Sequence, residues 1–272
     1  DAEPALMTSA RESAGDGRYE DAIAALDKIK PGSLLRPEMK LDLEYYKTLS
    51  EAHLALTGNG DIKQAGGKLA AFVKNNPDSY HYYEACELIG DLLVAAGQPA
   101  DAKAYYDLVA KAPWPEYKVK ANLAMGRSEL ATGNAAAARK AFQDVTSLPD
   151  TNDAIKRAKR QAQIGIARCE LADKQPAKAI SLAKSVIDSS DPAYDKTLLA
   201  EAYVALGQGY RDSGQTQDAL LAYLHVPLLY SSSRADNVEA LKNLYTLWND
   251  VGRPERAAEV ASQLQEMNQA LP

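Results

Sequence analysis

A short turn motif recurs seven times along this chain, and its spacing constrains the fold more than any other feature. An Ala stands five residues after each turn position, which is a Gly in six copies and Lys174 in the fifth. The turn positions are residues 17, 60, 97, 133, 174, 214 and 252, at intervals of 43, 37, 36, 41, 40 and 38 residues. Repeats of this length typically hold two helices. The sequence therefore predicts seven helix-turn-helix repeats.

The residues around each turn explain why one helix ends there and a second begins. Gly takes the left-handed backbone conformation that ends a helix at little cost. Pro99, Pro176 and Pro254 stand at predicted helix starts, where a missing amide proton costs nothing. The Ala allows close approach of the two helices, and an apolar stripe follows it on the same face. The stripe consists of Leu26, Ile29, Leu69, Phe72, Tyr106, Val109, Phe142, Val145, Ala183, Val186, Tyr223, Val226, Ala261 and Leu264.

The first helix of each predicted repeat carries a small residue seven positions before most of the turns. These residues are Ala10, Gly90, Gly126, Ala167 and Gly207, whereas His53 and Tyr245 stand there in the second and seventh repeats.

Further prolines are assigned to the connections: Pro31, Pro37, Pro77, Pro113, Pro115, Pro149, Pro192 and Pro227. No segment shows the alternation of a strand, so an all-α fold is expected.

This pattern resembles the tetratricopeptide repeat family. The best copy is Tyr203-Val204-Ala205-Leu206-Gly207-Gln208-Gly209-Tyr210 followed by Ala219 and Tyr223, which fits the family pattern with Tyr in place of the opening Trp. A second good copy contains Cys86, Ile89, Gly90, Ala102 and Tyr106. The repeats are longer than the family's usual length of about 34 residues. In this they are similar to the long, degenerate repeats of bacterial cell-envelope scaffold proteins.

The resemblance covers nearly the whole chain and implies a right-handed α-solenoid of about seven repeats. The expected repeats are residues 5–36, 38–76, 78–112, 114–148, 151–190, 192–230 and 232–270. Each helix pair is too thin to bury its own apolar face, so neighbouring pairs complete the core. A single array spanning residues 1–272, without a domain boundary, is therefore predicted.

Composition and motifs argue against several classes of function. The net charge of −6 gives no field for holding nucleic acid, and apolar runs such as Leu92-Leu93-Val94-Ala95-Ala96 are too short to span a bilayer. Two cysteines and three histidines do not form a zinc motif. No phosphate-binding loop, G-x-S-x-G or H-E-x-x-H motif is present. We therefore expect no enzymatic activity, no cofactor and no metal.

The resemblance also implies which residues line a concave surface, namely those thirteen, ten, six and three positions before each turn. In the third repeat these are the acidic Glu84, Glu87 and Asp91, followed by Val94. The peptide-binding candidates of the next repeats are Lys120, Leu123, Arg127, Ile164, Arg168, Gln208 and Arg211. The same positions also hold Leu130, Gln161, Leu171, Glu201 and Val204. Arg can bind a carboxylate through two parallel hydrogen bonds. A protein or peptide partner with acidic residues is therefore expected.

Some of these features also have a purely structural interpretation. His53 is favoured as a packed residue, the Glu84 and Glu87 pair as a solvated acidic face, and the tyrosines at 80, 82 and 83 as packing residues. Three functions remain open. The favoured one is a non-enzymatic protein-binding or peptide-binding scaffold. The others are a structural subunit that self-associates or joins a larger assembly, and a carbohydrate-binding or small-ligand-binding repeat protein.

The compartment is open as well. The start Asp1-Ala2-Glu3-Pro4 fits a mature exported, periplasmic protein, and the alternative is a chain trimmed at a disordered start. Export is the favoured interpretation, and a cytoplasmic location is the other.

Overall fold

The computed structural model describes residues 4–30, 32, 36–267 and 269–272, and these residues form fourteen α-helices and no strand. The helices are α1 (Ala5–Gly15), α2 (Tyr19–Leu26), α3 (Pro37–Leu56), α4 (Ile62–Asn75), α5 (Tyr82–Ala95), α6 (Pro99–Val109), α7 (Pro115–Ala131), α8 (Ala135–Thr146), α9 (Asp153–Ala172), α10 (Pro176–Asp188), α11 (Lys196–Asp212), α12 (Thr216–Leu229), α13 (Arg234–Asp250) and α14 (Pro254–Glu266). The predicted all-α, helical-repeat solenoid fold is confirmed. We call the odd-numbered helices first helices and the even-numbered ones second helices.

The chain divides into two compact units, residues 1–132 and 133–272. Unit 1 contains α1 to α7 and unit 2 contains α8 to α14, so the division falls in the turn of the fourth repeat. Within each unit consecutive helices pack on each other. First helices also contact one another directly, α1 with α3, α3 with α5 and α5 with α7 in unit 1, and α9 with α11 and α11 with α13 in unit 2. Each unit therefore presents a layer of first helices.

The turns have the backbone conformation that their sequences predict, with one shift. Lys174 adopts a φ of 58°, so it takes the left-handed conformation that Gly provides in the other repeats. In the second repeat the positive φ, 89°, belongs to Gly58 and not to the predicted Gly60. The carboxylate of Asp61 caps α4 by accepting a 2.9 Å hydrogen bond from the backbone N–H of Gln64. This cap fixes where α4 begins, and α3 ends early enough to leave a longer turn.

The seven turn alanines are buried, and each is no more than 4% exposed. The stripe residues that follow them are also buried among the described residues, with one exception. Ala261 is only half-buried, and the adjacent Val260 is buried instead. The predicted core is therefore confirmed in nearly every position.

Prolines mark helix starts in the structure, and some of them do so where a connection was predicted. Pro99, Pro176 and Pro254 begin their helices as expected. Pro37 and Pro115 do the same for α3 and α7. The assignment of Pro227 to a connection was wrong, because it lies inside α12. That helix ends two residues later, so Pro227 disturbs only its last turn. The predicted connection residue Pro31 lies outside the described residues.

In the third and sixth repeats a glycine on the first helix makes room for the tyrosine ring of the second helix. A carbon added at Gly90 would lie 2.4 Å from Cε1 of Tyr106, and one added at Gly207 would lie 2.8 Å from Cε1 of Tyr223. Both distances are far below van der Waals contact. The predicted small residue is therefore required by packing in the third and sixth repeats.

Candidate functional site

Three carboxylates lie in a line along one side of α5, and we call Glu84, Glu87 and Asp91 the acidic row. Their spacing of three and four residues places them on the same helix face. Oε2 of Glu87 is 3.2 Å from Nζ of Lys120 on α7. Oδ1 of Asp91 accepts a 2.8 Å hydrogen bond from the hydroxyl of Tyr106. The structure thus brings the predicted acidic residues together in unit 1.

Burial makes negative charge costly in two members of the acidic row. It raises the pKa of Glu87 and of Asp91 above their ordinary values. The pKa of Glu84 is lowered instead, first because of its interaction with His81, whose Nδ1 is 3.9 Å from Oε2. The charged forms of Glu87 and Asp91 are therefore less favourable on this partly buried surface than in water. A positively charged ligand group would relieve this cost.

The predicted basic residues of unit 1 only partly offset this charge. Lys120 pairs with Glu87 and also lies 5.6 Å from the ring centroid of Tyr117. Arg127 is exposed, and its charge acts to lower the pKa of Asp91 without overcoming the effect of burial. Lys120 and Arg127 therefore lie among carboxylates of their own unit.

A group of aromatic rings borders the acidic row, and we call Tyr83, Trp114 and Tyr117 the aromatic edge. The centroid of Tyr83 is 6.1 Å from that of Trp114 and 5.8 Å from that of Tyr117, and the last two are 5.9 Å apart. Trp114 is 47% exposed. Sequence reasoning singled out the tyrosines at 80 to 83 but missed Trp114, although its place between Pro113 and Pro115 at the start of α7 was a usable signal.

A polar cluster holds the start of this surface in place. Oδ1 of Asp42 accepts a hydrogen bond from the hydroxyl of Tyr80. The same oxygen lies 3.2 Å from Nε2 of His81. Nη1 of Arg11 is 3.8 Å from the same carboxylate. Tyr45 stacks on His81 with a centroid distance of 3.6 Å. Asp42 and His81 are both buried, so this cluster orients the first turn of α5. Sequence reasoning did not find Asp42.

The other two histidines are packed against tyrosines. His53 stacks on Tyr19 at 4.5 Å, and burial lowers the pKa of His53. His225 stacks on Tyr203 at 4.2 Å. These stacks agree with the structural interpretation of His53.

In unit 2 the predicted cations already have acidic or polar partners. Nη2 of Arg168 on α9 is 3.6 Å from both Asp236 and Glu239 on α13. Arg211 donates a hydrogen bond to the side-chain oxygen of Asn243. The Arg168 contacts join two first helices that flank α11. Sequence reasoning placed Arg168 on this face and missed the two carboxylates that hold it.

The remaining candidates contribute packing or short polar contacts. Ile164 is 1% exposed and Leu123 is 6% exposed, so both lie in the core beneath the exposed layer of their units. Gln208 accepts a hydrogen bond from the Tyr223 hydroxyl at 3.3 Å and donates one to Asp212 at 2.7 Å. Whether any of these residues contacts a partner stays a prediction.

The described residues show no assembled site for a metal, because no group of three or more His, Cys, Asp or Glu side chains converges in them. Both cysteines are buried free thiols, and burial raises the pKa of Cys86 and of Cys169 to about 11. No helix in the described part of the chain is long and apolar enough to cross a membrane.

The helices and their packing define a protein of the all-α helical-repeat class. A tetratricopeptide repeat family model matches residues 87–151 and 123–194. The structure is similar to that of a tetratricopeptide repeat protein from Parabacteroides merdae ATCC 43184, with a TM-score of 0.69 and 14% identity over 96% of this chain and 91% of that chain. The fold of the chain is thus similar to that of tetratricopeptide repeat proteins, and residues 87–194 match the family's sequence model.

A second solved structure has the same fold. The apo form of RapI matches with a TM-score of 0.63 and 11% identity over 95% of this chain and 74% of that chain. The comparison with curated proteins finds no match. At these identities the structural likeness concerns the fold alone.

Proposed function

We propose that this protein is a non-enzymatic scaffold that binds a protein or peptide segment on the first-helix layer of unit 1. The observation that carries the proposal is the acidic row, in which burial raises the pKa of Glu87 and Asp91, next to the aromatic edge with its exposed Trp114. Helical repeats offer an extended surface for such a segment. The tetratricopeptide repeat fold supports a role in protein interaction.

The charges of unit 1 favour a segment with basic side chains for the acidic row. A Lys or Arg brought next to Glu87 and Asp91 would form charge-assisted hydrogen bonds with partly buried carboxylates. Apolar or cationic groups of the same segment could pack on the Trp114 ring. Lys120 would then bind an acidic residue only by exchanging its contact with Glu87.

The test measures binding of fluorescent basic, acidic and neutral peptides of equal length by anisotropy over a range of salt concentrations. A variant with Glu84→Gln, Glu87→Gln and Asp91→Asn should bind the basic peptide at least about tenfold more weakly and with a smaller salt dependence. The control removes three exposed carboxylates elsewhere, with Asp21→Asn, Asp153→Asn and Glu255→Gln. Equal affinity of both variants and the wild-type chain would contradict the assignment of this site.

An acidic partner segment is the second candidate, and it concerns Arg168 and Arg211 in unit 2. The contacts of Arg168 with Asp236 and Glu239 show that its guanidinium can reach carboxylates on this face. An acidic peptide has to compete with them. Glu239→Gln should therefore strengthen binding of the acidic peptide, whereas Arg168→Ala should weaken it. The combined Arg168→Ala and Arg211→Ala variant tests both cations of this candidate site in unit 2, and unchanged affinity for the acidic peptide would remove these residues from the site.

A carbohydrate is the third candidate, and the aromatic edge favours it, because sugar rings pack on exposed aromatic faces. Free glycans are therefore included among the ligands in a thermal-shift assay. Stabilisation by a glycan and by none of the peptides would replace the peptide proposal with this one. Trp114→Ala should then abolish the shift.

A further inference from the structure

Helix α12 is apolar on both of its sides, which sets it apart from the other second helices. Its inner side supplies Leu220, Tyr223 and Val226 to the core. On its outer side Leu221 is 60% exposed and Leu228 is 72% exposed. A helix that is apolar all round is normally buried. The structure leaves one side of α12 uncovered in the single chain.

Leu221 and Leu228 occupy positions that are small or polar in every other repeat. These positions lie two and nine residues after the turn alanine, which is Ala219 here. The position of Leu221 holds Ala24, Gly67, Ala104, Lys140, Ser181 and Glu259 in the other repeats. The position of Leu228 holds Pro31, Lys74, Lys111, Ser147, Asp188 and Glu266. Two leucines at these places in one repeat alone indicate a contact surface particular to α12.

A groove lies next to this ridge, between α12, α13 and α14. Its volume is about 400 Å³, and its walls include Leu224, Pro227, Leu244 and Trp248. The groove is therefore apolar and large enough to take more than one aliphatic side chain. Leu228 is both part of its wall and one of the two ridge residues, so the ridge and the groove form one continuous surface.

The rim of the groove carries one charge of each sign. Nη1 of Arg256 lies 2.9 Å from Oε2 of Glu259, and both side chains are 59% exposed. A partner segment of a single charge sign would satisfy one of them and be repelled by the other. A second copy of the same surface offers a Glu for the Arg and an Arg for the Glu. The rim is thus electrostatically complementary to itself.

We propose that α12 and the groove beside it bind the same surface of a second copy of this chain. In a two-fold symmetric dimer each partner contributes an apolar ridge and an apolar groove, so that Leu221 and Leu228 of one copy enter the groove of the other. The rim residues Arg256 and Glu259 pair with Glu259 and Arg256 across the dimer. This surface belongs to unit 2 and shares no residue with the acidic row of unit 1, so it is proposed in addition to the peptide site.

The first experiment measures the mass of the whole chain by sedimentation equilibrium from low to high micromolar concentration. The wild-type chain should approach twice the monomer mass. The Leu221→Glu and Leu228→Glu double variant should raise the dissociation constant of the dimer by at least about 30-fold, as expected for central interface residues. Leu6→Glu, at another exposed leucine, is the matched control and should leave the dimer unchanged. Circular dichroism confirms that all three proteins are folded.

Charge exchange on the rim gives a second, independent measurement. Arg256→Glu alone and Glu259→Arg alone should each weaken the dimer, because like charges then meet across the interface. The double exchange should restore it. A wild-type chain that stays monomeric at every concentration overturns the proposal, and so does a dimer that the leucine variant does not weaken. A monomer whose groove binds an apolar helical peptide would overturn it too, in favour of a different protein as partner.

Discussion

The third and sixth repeats, one in each unit, use the same packing device under different electrostatic conditions. In both, a tyrosine from the second helix lies over a glycine of the first helix. Its hydroxyl then reaches the residue that follows that glycine, Asp91 in the third repeat and Gln208 in the sixth. The same geometry therefore holds a carboxylate in unit 1 and a neutral amide in unit 2.

This difference shows how a repeat fold acquires function without changing its core. The Gly and Tyr fix the spacing of the helices, and the polar residue beside them is free to vary. A carboxylate at this position becomes part of the acidic row, and burial raises its pKa. Gln208 has no charge to bury and is satisfied by Tyr223 and Asp212. The core device thus specifies where a binding residue stands, and the residue type specifies what it can bind.

The largest effect is expected from filling the space under the tyrosine rings. Gly90→Ala should lower the free energy of unfolding by about 3 kcal/mol and Gly207→Ala by about 2 kcal/mol, because the added carbons overlap buried rings. The tighter contact, 2.4 Å at Gly90 against 2.8 Å at Gly207, sets the order. Urea unfolding followed by circular dichroism measures both values.

Gly67 in α4 provides the matched control. Nothing lies within 4 Å of a carbon added there, so only helix propensity changes. Gly67→Ala should therefore raise stability by up to about 1 kcal/mol. If Gly90→Ala and Gly207→Ala also raised stability, the conclusion that the tyrosine rings require glycine at these positions would be wrong for both repeats.

Removing the tyrosine hydroxyls should lower stability by different amounts in the two repeats. Tyr106→Phe should lower the free energy of unfolding by about 2 kcal/mol, because it leaves the partly buried Asp91 carboxylate without its hydrogen-bond donor. Tyr223→Phe should lower it by only about 0.5–1 kcal/mol, because the hydrogen bond that it removes is longer and goes to a neutral amide. The same unfolding experiment gives both numbers. The pKa of Asp91, measured by NMR titration, should rise further in Tyr106→Phe. Equal losses in the two variants would mean that the charge of Asp91 does not matter to the bond.

The sequence was sufficient to predict the helix pairs, the turns and most of the core, because each depends on residues close together in the chain. The turn residue, Gly in six repeats and Lys174 in the fifth, and the Ala after it act locally. The contact of Arg168 with Asp236 and Glu239 could not be predicted in this way, since it depends on how three successive first helices are arranged. The longer second turn was missed for a different reason: two glycines, Gly58 and Gly60, compete there, and the cap at Asp61 decides between them.

Exchanging the charge between the two positions, with Asp91 made neutral and Gln208 made acidic, should give the smallest change and the most direct test of the comparison. Asp91→Asn keeps an acceptor for Tyr106 and removes the charge, so it should raise the free energy of unfolding at pH 7 by up to about 1 kcal/mol. Gln208→Glu should lower stability by a similar amount, because it places a charge in the corresponding position of the sixth repeat.

The pH dependence of the Asp91→Asn gain follows from the direction of the pKa shift. The pKa of Asp91 is raised in the folded state, so the folded chain binds the proton more tightly than the unfolded chain. The charge of Asp91 therefore lowers the free energy of unfolding by its full amount when the pH is above the folded-state pKa. This destabilisation disappears as the pH falls through the folded-state pKa and towards the unfolded-state pKa. The stability difference between Asp91→Asn and the wild-type chain should therefore shrink on acidification. A difference that stayed constant from neutral to acid pH would show that packing, and not charge, distinguishes the third repeat from the sixth.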